Sequence, residues 1–404
     1  MKITIIGAGF AGVKTALKLA KDSHMQIQII TDKPDFQYYP ALYSSATGHS
    51  HLESWVPLGE IFAKYPNVGV TIDMVVGIDD KKKQVIGASG THYQYEHLVV
   101  AIGAVTTYFG IPGLDQYSYG IKSAAQIRQL KERIYRDIAE HKKLDKNYVV
   151  IGGGPTGVEL AAALGTYLRR LAAFHKVRSH RVNVRLIEAA PRILPRSHPA
   201  VSGRVQRRLE DLGVEIEVGR KVEKETAESV IISGRPIASH TVIWTSGVMN
   251  NPLFAAHPHV FSLAKNGRVV VDEHLRANEY IYVLGDNAAT PYSGFAQTAL
   301  HDAKFIARNF KHMSRHESLE PYKAVLPVSS VPVGAGWATV EYRRIRFYGW
   351  MGSMIRRLAD FIGYTDVLPL GHALRPWYAA KIYESDYFAP EAGKQSERHG
   401  KKSV

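Results

Sequence analysis

The chain has 404 residues, of which 45% are apolar, 22% charged and 10% aromatic, a globular composition two to three domain lengths long that excludes a small lone module, a coiled coil, a collagen-like rod or a disordered chain. Lys and Arg outnumber Asp and Glu by 51 to 37, a net charge of +14, which favours an anionic partner without naming its kind. There is no cysteine, which excludes disulfide frameworks, thiolate metal sites, iron-sulfur clusters and dithiol chemistry, so that redox work on this chain needs a bound cofactor.

The N-terminus opens at once on a strand, Ile3 to Ile6, without the charged and apolar stretches of a secretory signal. Gly7-Ala8-Gly9-Phe10-Ala11-Gly12 follows that strand and precedes a helix over Val13 to Lys21. This is the strand–glycine–helix context in which G-x-G-x-x-G binds a dinucleotide. The first glycine permits the turn, the second lets backbone approach a pyrophosphate and the third lets helix pack on strand, while Phe10 and Ala11 present N–H groups at the positive end of the helix. Asp32 comes 20 residues after Gly12, past the strand Ile27 to Ile30, where an acid hydrogen-bonds a ribose hydroxyl. Lys33 and Val76 are counted with the same site. An alternating stretch, Gln84 to Tyr95, leads to a strand-like run ending in Ala101-Ile102-Gly103, and the turn at Pro112-Gly113 marks a domain crossing.

The series then recurs. A strand from Val149 runs into Gly152-Gly153-Gly154-Pro155-Thr156-Gly157, a helix through Glu159 to Leu171, a strand Val182 to Ile187, and Glu188. The copies start about 145 residues apart, too far for a solenoid repeat and right for two nucleotide-binding units. Gly152, Gly154, Thr156, Gly157 and Glu159 are the second set of binding candidates. Glu188 lies 31 residues past Gly157; an acid there repels a 2′-phosphate and favours NADH over NADPH. The basic residues of the longer helix region, Arg169, Arg170, Lys176, Arg178 and Arg181, read as a solvated face. The run Thr241 to Gly247 closes this unit and crosses back, and Tyr280 to Leu284 is a strand ending in Gly285-Asp286, before a helix from about Ala296.

Beyond about residue 325 the composition turns to Gly, Trp, Tyr and Arg. On a helical wheel Trp350, Met351, Met354, Ile355, Leu358, Phe361 and Ile362 share one arc, with Ser353, Arg356, Arg357 and Asp360 opposite. Such a helix lies in a membrane interface, joined by Trp377, Tyr378, Lys381 and Tyr383; a homodimer partner would cover the same stripe. No run of 18 apolar residues exists to cross a bilayer. No nucleic-acid motif and no His pair with metal-ligand spacing is present, so neither nucleic acid nor a metal is expected.

Together the two glycine loops, Ala101-Ile102-Gly103, Thr245-Ser246-Gly247 and Gly285-Asp286 resemble the two-dinucleotide-binding-domain flavoproteins over about residues 1 to 310. Within them, the segment from Phe36 to Gly48, Tyr108-Phe109-Gly110 with Pro112-Gly113, the run Leu186 to Pro195 and Ala296-Gln297-Thr298-Ala299 resemble the type II NADH:quinone oxidoreductases. The resemblance implies an α/β fold of two Rossmann-like domains with a C-terminal amphipathic helical membrane-association region. FAD is then held by residues 1–113 and 247–325, NADH by an inserted domain at 114–246, the membrane is met by 326–390, and 391–404 form a disordered tail. It assigns Asp286 to the ribityl or pyrophosphate part of FAD, adds Ala101, Gly103, Gly247, Gly285 and Ala296 to the cofactor contacts, and puts Gln297 by the quinone. Two positions depart from it: His301 stands where the family has a second glutamine, one helical turn after Gln297, and takes its hydrogen-bonding or proton-relay role; Ala163 stands where the family has a glutamate. The implied enzyme is peripheral on the cytoplasmic face of the cell membrane and pumps no protons. A soluble NADH-dependent reductase of a ferredoxin or rubredoxin is the alternative on the same fold, and a non-enzymatic flavoprotein sensor the third.

Overall fold

The computed structural model describes residues 1–177 and 182–384; Arg178, Arg181 and the tail 391–404 lie outside the described residues. In chain order, the elements that build the site are β1 (Lys2–Ile6), α1 (Phe10–Leu19), β2 (Gln26–Thr31), β3 (Val68–Ile72) and β4 (His97–Val100). These are followed by β5 (Tyr148–Ile151), α2 (Pro155–Phe174), β6 (Val184–Glu188), β7 (Val214–Val218) and β8 (Thr241–Trp244), then β9 (Ile281–Val283), α3 (Ala296–Ser314), α4 (Gly349–Thr365) and α5 (Leu370–Ala379).

The first sheet is parallel, in the order β9-β4-β1-β2-β3, and the second, also parallel, runs β7-β6-β5-β8. Alternate residues of these strands enter different cores: Ile3, Ile5, Ile27, Ile29 and Val99 pack with α1 and α3, while Ile6, Ile30, Leu98, Val100 and Ile281 pack with Phe254 and Phe261 on the other face. Burial on both faces explains why these strands read as nearly continuous apolar runs. The alternating stretch from Gln84 becomes two strands, Gln84–Gly87 and His92–Gln94, of an antiparallel sheet with Val75–Asp79.

The two chain crossings meet. Val105–Thr106 pairs antiparallel with Val248–Met249, and the Trp244 indole donates to the Thr107 carbonyl at 3.0 Å, so the outgoing and returning segments form one hinge strip. The C-terminal region is a three-stranded antiparallel sheet, Ser329–Pro332, Ala338–Tyr342 and Ile345–Phe347, against which α4 lies. Gly352 allows that approach, since a Cβ there would collide with the Ala338 carbonyl. The helix is inside out relative to an ordinary surface helix: Trp350 is 66%, Met354 61% and Leu358 59% exposed, whereas Arg356 and Asp360 face inward as an ion pair at 2.9 Å. Among the described residues no helix is long and apolar enough to cross a membrane. A second link joins the C-terminal region to the start of the chain: buried Lys14 of α1 donates to the Asp366 carboxylate and carbonyl, both at 2.6 Å and across 352 positions.

Candidate active site

Both glycine loops sit at the C-terminal edges of their sheets, the edge at which doubly wound folds bind ligands. In the first, a Cβ at Gly7 would strike the Ala101 carbonyl and one at Gly12 the Gly7 carbonyl, so helix, loop and strand touch backbone to backbone. Gly9 differs: no atom lies within 4 Å of the position its Cβ would take. The second loop repeats this: a Cβ at Gly157 would strike the Gly152 carbonyl and come within 2.7 Å of the Thr245 hydroxyl, while Gly154 is open. Gly9 and Gly154 are also the N-cap residues of α1 and α2, and no side chain caps either helix. Open space above uncapped helix N–H groups is what a pyrophosphate fits. Each of the two sites thus fits the pyrophosphate of a dinucleotide.

Around the first loop the sequence candidates converge. A Cβ at Gly285 would lie 3.7 Å from that of Ala11 and 3.5 Å from that of Ala299, and Gly285 N–H donates to the buried Asp302 carboxylate at 2.9 Å. Phe10 turns its ring into the core, edge-on to Phe36 at 5.1 Å, leaving its backbone for a ligand. Gly103 is held by Asn287, whose amide accepts from Gly103 N–H at 2.8 Å, donates to its carbonyl at 2.9 Å and donates to Asn250 at 2.7 Å. Asp286 faces Arg268 and Lys122; burial pushes its carboxyl up and these cations draw it back. The Lys122 amine, lowered by burial and supported by Asp286, reaches the Gly247 carbonyl at 3.5 Å and so bridges the two units.

Asp32 ends in solvent, its side chain 57% exposed and 4.0 Å from Lys33, and Val76 is exposed on the antiparallel sheet. Glu188 turns back on its own loop, accepting from Gly153 N–H at 2.6 Å and Ala190 N–H at 2.7 Å. Thr156 is half-buried at the start of α2, and Glu159, one turn on, is buried. Ala296 begins α3, on which Gln297 and His301 share one face. Both point at the segment that crosses them: Gln297 exchanges two hydrogen bonds with the Val328 backbone, at 2.9 and 3.1 Å, and His301 Nε2 lies 2.8 Å from the Lys323 carbonyl. Nε2 therefore carries the ring proton. Beside them a shallow cavity of about 230 Å³ is lined by Leu300, Lys304, Val325, Leu326 and Asp366.

Sequence reasoning missed Asn287, Asp302, Lys122 and the inward role of Arg356. Gly-Asp-Asn at 285–287 gave a signal for Asn287, and the spacing of four between Arg356 and Asp360 gave one for their pairing; nothing local marks Lys122 or Asp302.

A family model for pyridine nucleotide-disulphide oxidoreductases matches residues 1–303. The type II NADH:quinone oxidoreductase Ndh of Mycobacterium tuberculosis is 30% identical over 393 residues, covering 90% of this chain and 85% of the relative. Its counterpart in Staphylococcus aureus is 29% identical over 346 residues, covering 80% of this chain and 85% of the relative. The solved structure of NDH2 from Plasmodium falciparum in complex with NADH shares the fold, with a TM-score of 0.81 at 18% identity over 95% of this chain and 98% of that one.

Proposed function

The chain belongs to the pyridine nucleotide-disulphide oxidoreductase family and, within it, to the type II NADH:quinone oxidoreductases, and on that premise we propose that it is a peripheral-membrane enzyme carrying electrons from NADH through FAD to a quinone. FAD, when bound, supplies the carrier that takes a hydride and passes on two electrons. The observation that carries the reading is the pair of open, uncapped glycine cradles at Gly9 and Gly154.

In this reading the backbone N–H groups of Phe10, Ala11 and Gly12 hold the FAD pyrophosphate, and Asp32 takes a ribose hydroxyl. Asp286 orients the ribityl side, with Lys122 and Arg268 keeping its charge matched. Gly154, Thr156 and Gly157 hold the NADH pyrophosphate, while Glu188 fixes the loop and disfavours a 2′-phosphate. Gln297 and His301 present hydrogen-bonding groups on the quinone side. Electron transfer proceeds without proton pumping, on the cytoplasmic face, with the outward stripe of Trp350, Met351, Met354, Leu358 and Ile362 in the lipid interface.

Anaerobic reduction of the yellow holoprotein by NADH, followed by mixing with a short-chain quinone, tests the chemistry. Rapid return of the flavin absorbance is expected. Reduction without reoxidation would move the acceptor to a protein electron carrier. Co-sedimentation with lipid vesicles tests the location: Leu358→Glu should release the protein into the supernatant, and unchanged pelleting would remove the stripe from the interface.

A further inference from the structure

Where the first unit, the second unit and α4 meet, six titratable side chains surround one guanidinium. Arg356 reaches in from α4 with its side chain 11% exposed. Its Nε donates to both Asp360 carboxylate oxygens, at 3.1 and 2.9 Å, Nη1 donates to the Ser330 carbonyl at 2.9 Å and Nη2 to the Pro40 carbonyl at 3.0 Å. Glu159 of α2 receives the remainder of that charge, its Oε1 lying 3.6 Å from Nη1. Tyr38 donates to Asp360 at 3.0 Å, Ser44 to the Glu53 carboxylate at 2.7 Å and Tyr364 to the Glu53 carbonyl at 2.7 Å. The Tyr43 hydroxyl, also buried, feels both Arg356 and Glu159.

The charges do not balance. One guanidinium faces three carboxyls, Glu53, Glu159 and Asp360, and full ionisation would leave two uncompensated negative charges out of water. Asp360 holds the guanidinium most closely, so the cluster's protons belong on the two glutamates. Burial pushes both carboxyls up to about 8.

The reaction has a matching need. NADH gives up one hydride, the equivalent of two electrons and one proton, while a quinone becomes a quinol by taking two electrons and two protons; one proton per turnover therefore comes from water. We propose that the Glu159 carboxyl, beside Arg356, holds that proton and yields it to the redox site as quinone is reduced. Water then restores it across the cluster, and Arg356 sets how tightly it is held. Glu159 is placed for this two residues past Gly157, at the nucleotide-binding end of α2. The inference rests on quinone being the acceptor.

Stopped-flow measurement of the quinone step in the holoenzyme across the pH range tests it. The wild-type rate should be flat near neutrality and fall about tenfold per pH unit above a break near the Glu159 value, as the proton-bearing form is lost. In Glu159→Gln the break should vanish, with the neutral-pH rate down roughly tenfold or more. In Arg356→Gln, loss of the cation should move the break upward by about one pH unit, and this variant decides the matter alone should Glu159→Gln fail to bind flavin. A break that persists in Glu159→Gln, or stays fixed in Arg356→Gln, overturns the inference. Rapid reoxidation with no pH dependence overturns it while leaving quinone as the acceptor; no reoxidation by quinone at any pH overturns both.

Discussion

In the first nucleotide unit the acid beyond the second strand is free: Asp32 stands largely in solvent with Lys33 at 4.0 Å. In the second it is engaged with its own loop, Glu188 accepting the N–H groups of Gly153 and Ala190. The helices differ as well, α1 running 10 residues and α2 20. One sequence pattern thus supports two electrostatic arrangements. On the proposed function, the acid with open lone pairs would serve a ribose, whereas the acid already accepting two backbone donors would first fix the glycine loop and then, by its negative charge, select against a 2′-phosphate.

Crowding the loops should give the largest effects. Gly12→Val places a side chain on the Gly7 carbonyl and Gly157→Val one on the Gly152 carbonyl, a clash of about 1–3 kcal/mol, or roughly ten- to a hundredfold in affinity. The first variant should purify with little flavin; the second should keep its flavin colour and resist reduction by NADH. If each variant lost both cofactors, the two units would not be separable.

The acids come next. Glu188→Ala strips two backbone donors of their acceptor and should lower stability by about 1–3 kcal/mol, read as a drop in Tm, together with a higher KM for NADH. Asp32→Ala should leave Tm nearly unchanged and weaken FAD binding roughly tenfold. The reverse order of Tm losses would break the contrast. The smallest effect sharpens it: Glu188→Gln should keep the loop hydrogen-bonded at one oxygen while raising the use of NADPH relative to NADH about threefold, measured as a ratio of kcat/KM values.

The features legible in the sequence are those with local causes. Gly7, Gly9 and Gly12, and their counterparts at 152, 154 and 157, follow from contacts between a strand, a turn and a helix a few residues apart, so spacing alone reveals them. Asn287 tying down Gly103, and Lys122 reaching Gly247, join segments separated by 184 and 125 positions, and no local pattern encodes such a meeting. Helix α4 lies between these cases. Its periodicity marks an apolar stripe and a polar face, but which side looks inward depends on neighbours: Glu159, Pro40 and Ser330 offer Arg356 a polar seat, and the stripe is left outside.

The link between Lys14 and Asp366 bears on how the protein is made. Lys14 is buried in the finished α1, yet its carboxylate partner leaves the ribosome 352 residues after it. At a synthesis speed of about 5–20 residues per second, that interval lasts roughly 20–70 seconds. Until then α1 carries a cation that cannot be buried without penalty, so the first unit completes its packing only after the segment that holds Asp366 has emerged.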